Sequence, residues 1–376
     1  MFGKKIPLFS LLGFKVGIDL TWLILAVLIT WSLAKGLFPN YFDGYSNATY
    51  WWMGVAGALG LFVSIVFHEF CHSLVARRFG MPIKGITLFL FGGVAEMNEE
   101  PKSPMAEFLM ALMGPVSSAA LGGLLALIVF AGGRVDWSGP ITGVLTYLVW
   151  LNLILAGFNL LPAFPLDGGR VLRSILWKIK GNLRWATRIA SGLGSGIGLF
   201  FIIIGITTFI MGGFIGGMWY FLIGMFIRWA SQMSYKQLMM RKALGGEPIG
   251  RFMKTDPVTI PSSTSVKQLV NDYFYRFHYK MFPVADNGVL KGCVDTKQVK
   301  ELPGEQWADH TVSEVTRPCS ETNTVSPETD AMKVLSQMNK TGNSRFMVIE
   351  QDRLVGIVTL KDMLKFLSMK IDLEEE

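Results

Sequence analysis

The stretch Leu59-Gly60-Leu61-Phe62-Val63-Ser64-Ile65-Val66-Phe67-His68-Glu69-Phe70-Cys71-His72 decides how this chain is read. An apolar run passes straight into two histidines and a glutamate. Histidines four apart on a helix share one face, one turn apart, so both imidazoles can reach a single metal ion. Glu69, beside the first of them, can hold and deprotonate a water polarised by that metal. Zinc accepts imidazole and carboxylate ligands and lowers the pKa of a bound water towards about 7. In a soluble protein, chance placement of His-Glu-x-x-His on a helix would be a serious rival. Here it is weak, because ionisable groups inside a membrane segment are costly and mark functional sites. Cys71 lies on a different face from the histidines and reads as a packing residue.

A hydrolytic zinc keeps three protein ligands and one open position. The other histidines, His278 and His310, fall in a polar C-terminal part. The third ligand is sought instead in Asn159-Leu160-Leu161-Pro162-Ala163-Phe164-Pro165-Leu166-Asp167-Gly168-Gly169-Arg170. Prolines break an apolar segment there, Gly168-Gly169 frees the backbone, and Asp167 supplies a carboxylate. The competing role for Asp167 is to cap a helix over 168–180.

Outside these motifs the composition is that of a membrane protein. Of 376 residues, 51% are hydrophobic and 17% charged, with a mean hydropathy of +0.40; a soluble domain carries about 25% charged residues. Six apolar stretches approach the ~20 residues that a membrane helix needs: Ile18–Leu37, Trp51–Phe79, Met105–Ala131, Ile141–Leu161, Ile189–Met211 and Phe214–Trp229. The first has no small-residue cleavage site, so no signal peptide is expected. The net charge of +7 reads as juxtamembrane cations meeting anionic lipid, not as a nucleic-acid surface. Lys4, Lys5, Lys15, Arg77, Arg78, Lys84, Lys102, Arg170, Arg173, Lys178, Lys180, Arg184 and Arg188 fall on one side of the six spans, Lys35 and Arg134 on the other. The positive-inside rule then predicts a multi-pass protein of the cell membrane with both termini in the cytoplasm. Three scattered cysteines exclude a disulfide framework and a thiolate metal cage.

Between the second and third spans, Ile83–Met97 is too short to cross as a helix and is rich in strand formers with a Gly-Gly break. It predicts a strand or hairpin, either re-entrant and shielded by protein or on the cytoplasmic surface. Ser234–Glu247 reads as a helical tether ending at Gly245-Gly246. The polar remainder repeats itself weakly: Met281-Phe282-Pro283-Val284 with Gly292-Cys293-Val294 corresponds to Phe346-Met347-Val348-Ile349 with Gly356-Ile357-Val358.

At this point the residues resemble the site-2 protease family of intramembrane zinc metalloproteases. His68 through Gly80 is similar to its zinc-binding helix, and Asn159 through Gly168 to its second motif. The resemblance covers residues 1 to about 230. It implies one zinc per chain held by His68, His72 and Asp167, with Glu69 as general base. It further implies Asn159 as a substrate- or oxyanion-binding group. The segment around Gly92 and Gly93 is implied to hold an unwound substrate by strand pairing. The implied substrates are transmembrane segments of other proteins. The repeat resembles a pair of cystathionine-β-synthase (CBS) modules, which implies regulation by ATP or another adenine nucleotide, with Thr359 and Asp362 at a ribose. Gln298 stands where the first module would carry the corresponding Asp, so one nucleotide site is expected and not two. The alternative for the pair is a homodimerisation module without a ligand.

The expected architecture is a polytopic α-helical membrane protein of about six transmembrane helices with a short re-entrant β segment, followed by a soluble α/β CBS pair. Its parts are a membrane metalloprotease domain (1–232), a linker helix (233–248) and CBS modules at 249–305 and 306–376. A reading from another class is a CBS-regulated membrane metal-ion transporter, against which stand the glutamate between the histidines and the lack of an evident inverted repeat.

Overall fold

The computed structural model describes residues 5–81, 83–89, 92–97, 101–134, 137–351 and 353–374. Contacts divide the chain into two compact units, Met1–Tyr235 and Lys236–Glu376.

The first unit opens with a hairpin of β1 (Lys5–Leu11) and β2 (Phe14–Asp19). Leu12 and Gly13 between them both have positive φ, 47° and 89°, as a two-residue turn of the primed type requires. Asp19 ends β2 and caps the first helix, its carboxylate accepting the Thr21 N–H at 2.9 Å. That helix, α1 (Leu20–Ser32), continues through a π turn (Leu33–Leu37) into α2 (Phe38–Tyr41). Ile18, expected to begin the first span, therefore belongs to a strand. Val, Ile and Phe suit a buried strand as well as a membrane helix, so the apolar run carries no mark of the change.

Then follow α3 (Asn47–Arg78), β3 (Ile83–Phe89), β4 (Gly92–Met97), α4 (Pro104–Gly133), α5 (Gly139–Asn159), α6 (Asp167–Lys180), α7 (Leu183–Ile210) and α8 (Phe214–Leu244). Serine side chains start two of these helices: Ser46 accepts the Thr49 N–H at 3.2 Å, and Ser103 accepts the Ala106 N–H at 3.2 Å. Among the described residues, six helical stretches are long and apolar enough to cross a membrane: Leu20–Tyr41, α3, α4, α5, α7 and α8. The expected tether over 233–248 is no separate element. Nothing between Ser234 and Leu244 breaks α8, which stops only at Gly245-Gly246, where Gly246 has φ +78°. In α7 and α8, small residues let backbones meet: a Cβ on Gly205 would lie 2.5 Å from the Phe221 nitrogen.

The hairpin expected at Ile83–Met97 exists as β3 and β4, with Leu90 and Phe91 outside the described residues, as is Lys4. It belongs to a four-stranded sheet in the order β1-β2-β3-β4. β2 and β3 run parallel with Val16 opposite Ile86, and the other pairs are antiparallel. Val16, Ile18, Ile86 and Leu88 pack with Trp22 and Val66. The sheet thus packs against α3 just before His68.

The second unit runs through β5 (Lys254–Thr255), α9 (Val266–Gln268), a π turn into α10 (Tyr275–Phe277), β6 (Met281–Asp286), β7 (Val289–Asp295), α11 (Thr296–Lys300), α12 (Val312–Val315) and β8 (Arg317–Pro318). It closes with β9 (Thr324–Val325), α13 (Ala331–Thr341), β10 (Arg345–Glu350), β11 (Arg353–Thr359) and α14 (Leu360–Glu374). The repeat is visible as two antiparallel hairpins, β6–β7 with Phe282 opposite Val294 and β10–β11 with Phe346 opposite Val358. Each copy has its own apolar core. The segment before the first copy does not stay with it. Ile249 and Phe252 enter the core of the second copy, and β5 pairs with β11.

Candidate metal centre

α3 stacks His68 and His72 on one buried face. Their Nε2 atoms are 3.1 Å apart, and Oδ2 of Asp167 lies 3.1 Å from each. The three ligand atoms form an equilateral triangle built from two distant segments. Asp167 is the first residue of α6, and no side-chain cap bond is made at that helix start. Capping, the competing role for this residue, is not what its carboxylate does. The loop before it folds so tightly that a Cβ on Gly168 would sit 2.2 Å from the Leu160 oxygen, and one on Gly169 would sit 2.2 Å from the Phe164 nitrogen. Only glycine permits this approach.

α4 orients the rings. Nδ1 of His72 donates to the Met110 carbonyl at 2.6 Å. A carbonyl can only accept, so Nδ1 carries a proton and Nε2 is the ring atom turned to the centre. Nδ1 of His68 lies 2.9 Å from the Ser118 hydroxyl. Between them on the same helix, Gly114 leaves the space: a Cβ there would lie 2.1 Å from Nε2 of His72 and 2.6 Å from Nε2 of His68. Imidazole lone pairs and a carboxylate oxygen at such distances repel unless a proton or a metal cation sits among them. For tetrahedral zinc with bonds of about 2.0–2.1 Å, the ligand–ligand edge is ~3.3 Å. The residues fit zinc.

Glu69 is half-buried beside His68 and within electrostatic reach of both histidines, Asp167 and Arg170. Asn159 closes α5, and its amide donates to the Leu155 carbonyl of its own turn at 3.0 Å. Gly92 and Gly93 open β4 opposite Phe89 and Leu88. Cys71 is half-buried and outside the ligand cluster. Gly114 and Ser118 were not among the sequence-derived site residues. Their signal, Gly-Pro followed by two serines inside an apolar span, is legible only once α4 is known to pack on α3. Arg173, counted among the charges on one side of the spans, is buried against Glu107 of α4.

In the second unit, Thr359 donates its hydroxyl to Oδ2 of Asp362 at 2.6 Å and accepts the Asp362 N–H at 3.2 Å. Both line a cavity of about 800 Å³ with Lys254, His278, Tyr279 and Arg345. The corresponding cavity of the first copy, lined by Lys280, Asp295, Lys297 and Arg317, is about 160 Å³. Gln298 there closes a capping box, accepting the Asp295 N–H at 2.7 Å. Burial pushes the Cys293 thiol up to about 11, so it is a neutral packing group.

Residues 56–205 match the model of peptidase family M50, and residues 249–303 and 312–369 match that of the CBS domain. The chain is 33% identical over 366 residues to Rip3 of Mycobacterium tuberculosis, covering 97% of this chain and 93% of that protein. It is 30% identical over 372 residues to the zinc metalloprotease MJ0392 of Methanocaldococcus jannaschii, covering 99% and 98%. The solved structure of the site-2 protease from the same archaeon is similar at 31% identity and a TM-score of 0.44, over 61% of this chain and 94% of that one.

Proposed function

Because this chain belongs to peptidase family M50, the site-2 protease family of zinc metalloproteases, we propose that it cuts transmembrane segments of other proteins within the bilayer. Membership of a peptidase family replaces the metal-ion transporter reading. The observation that carries the proposal is the 3.1 Å triangle of His68, His72 and Asp167 among spanning helices. Zinc held by these three side chains would supply Lewis acidity at the scissile carbonyl. The Glu69 carboxylate takes a proton from the attacking water as its oxygen bonds to the carbonyl carbon. It then passes that proton to the amide nitrogen as the C–N bond breaks. The Asn159 amide serves the carbonyl oxygen or the neighbouring substrate backbone. β4, at the edge of its sheet, offers the strand that holds an unwound substrate, since a helix hides its peptide bonds. The crowding of cations on one side supports cytoplasmic termini.

Replacing Glu69 by Gln tests the mechanism. Cleavage of a co-expressed membrane substrate should fall by at least ~100-fold, the lower bound for a general base, while metal analysis still finds one zinc per chain. Unchanged cleavage would sink the role of Glu69.

We also infer that an adenine nucleotide occupies the larger cavity of the CBS pair and controls cleavage. What supports this is its size, its carboxylate and hydroxyl at Asp362 and Thr359, and the cations Lys254 and Arg345 on its wall. The small first-copy cavity and the local use of Gln298 support one such site and not two.

A further inference from the structure

α4 supplies no ligand, yet one stripe of it meets both histidines and the arginines that follow Asp167. Glu107, Met110, Gly114 and Ser118 recur at intervals of three and four residues, the spacing of one helix face. Ser118 faces Nδ1 of His68, Met110 takes the Nδ1 proton of His72, and Gly114 leaves room for both rings. Glu107 begins the stripe. It is fully buried and holds Arg173, which is 2% exposed. Nε of Arg173 donates to Oε1 of Glu107 at 2.7 Å, Nη2 donates to the same oxygen, and Nε of Arg170 lies 3.9 Å from it. Both arginines follow Asp167 on α6, one and nearly two turns on. The Arg173 guanidinium also lies over the Phe164 ring, 4.8 Å from its centroid, and the Phe164 carbonyl accepts from Ser231 of α8.

A buried ion pair is weak evidence for stability, because desolvation offsets the attraction. What a guanidinium supplies is direction, since its rigid fork fixes the partner's orientation. We propose that Glu107 and Arg173 are positioning residues for the third metal ligand. They seat the first turns of α6 on α4 so that Asp167 meets the two histidines, and α4 becomes the single template of the centre. The proposal rests on the reading of the triangle as a zinc site.

Full-length protein carrying Glu107→Gln or Arg173→Lys would be compared with wild type and with Asp167→Asn for zinc affinity, Co(II) absorption and melting of the metal-free form. Each positioning variant should bind zinc roughly 10- to 100-fold more weakly, the range for residues behind a metal ligand. Its Co(II) d–d bands should shift towards those of Asp167→Asn. A pair serving stability alone would lower the metal-free melting temperature and leave zinc affinity and the Co(II) spectrum unchanged, which would overturn the assignment. If one variant does not fold, the other decides. Wild-type protein that takes up no zinc overturns the reading of the centre as well. Wild-type zinc binding with unaltered variants overturns only the positioning.

Discussion

Gly114 has no side chain to offer, and the two histidine rings fill the space that one would take. A methyl group there would lie 2.1 Å from Nε2 of His72, the atom that faces His68 and Asp167, well inside van der Waals contact. Gly114→Ala should therefore cost zinc affinity at least the ~10- to 100-fold of a change behind a ligand, read by competition with a chelator. An alanine variant that holds zinc as wild type does would show that α4 can retreat. The pairing of the two histidines was legible because residues four apart on a helix share one face. Asp167 was legible because a carboxylate follows a broken apolar segment. Gly114, Ser118 and Glu107 were not, because what they do depends on a helix from elsewhere in the chain meeting α3 and α6.

Among the elements, apolar length alone marks a spanning helix, and all six expected spans correspond to helices in the structure. Their ends differ where local chemistry decides. Asp19 starts α1 after a strand, and α8 continues past Trp229 until two glycines stop it. The β1–β2 hairpin went unforeseen because an apolar strand and the start of an apolar helix look alike in sequence. In the second unit, α12 is only four residues long and is held at its start by a capping box: Glu314 accepts the Thr311 N–H at 3.0 Å and pairs with His310 at 2.5 Å. The hydrogen bond from the Thr311 backbone, followed by those from His310 and the Thr311 hydroxyl, lowers the Glu314 carboxyl from 4.5 to about 2. A depressed carboxyl stabilises the fold above its unfolded value and ceases to do so as pH falls through the folded one. Glu314→Gln should accordingly lower the melting temperature at pH 6, and the deficit should shrink between pH ~4.5 and ~2. An equal deficit across that range would exclude the charge as its cause.

At the scale of the molecule, two compact units share one chain. The first buries the His68, His72 and Asp167 cluster among long apolar helices, and the second is an α/β repeat with a cavity of about 800 Å³. Ligand that binds only the folded state raises its stability by about 2.7 kcal/mol at a hundred times its dissociation constant. ATP, ADP or AMP should therefore raise the melting temperature of the second unit within the full-length protein, and Asp362→Ala should abolish the rise. A wild-type protein indifferent to all three would remove the nucleotide from the account and leave the dimerisation reading of the pair.

By itself the sequence determined the His68-Glu69-x-x-His72 helix, the carboxylate at Asp167, the six spans and the repeat. Each is written in local spacing and in the length of apolar runs, which a chain in lipid must obey whatever its partners. Only the tertiary structure decided that Asp167 points at the histidines and does not cap its helix, that α4 orients both rings, and that Ile249 and Phe252 leave the first copy of the repeat for the core of the second. These depend on which distant segments touch, and a residue's own neighbours in sequence carry no trace of that.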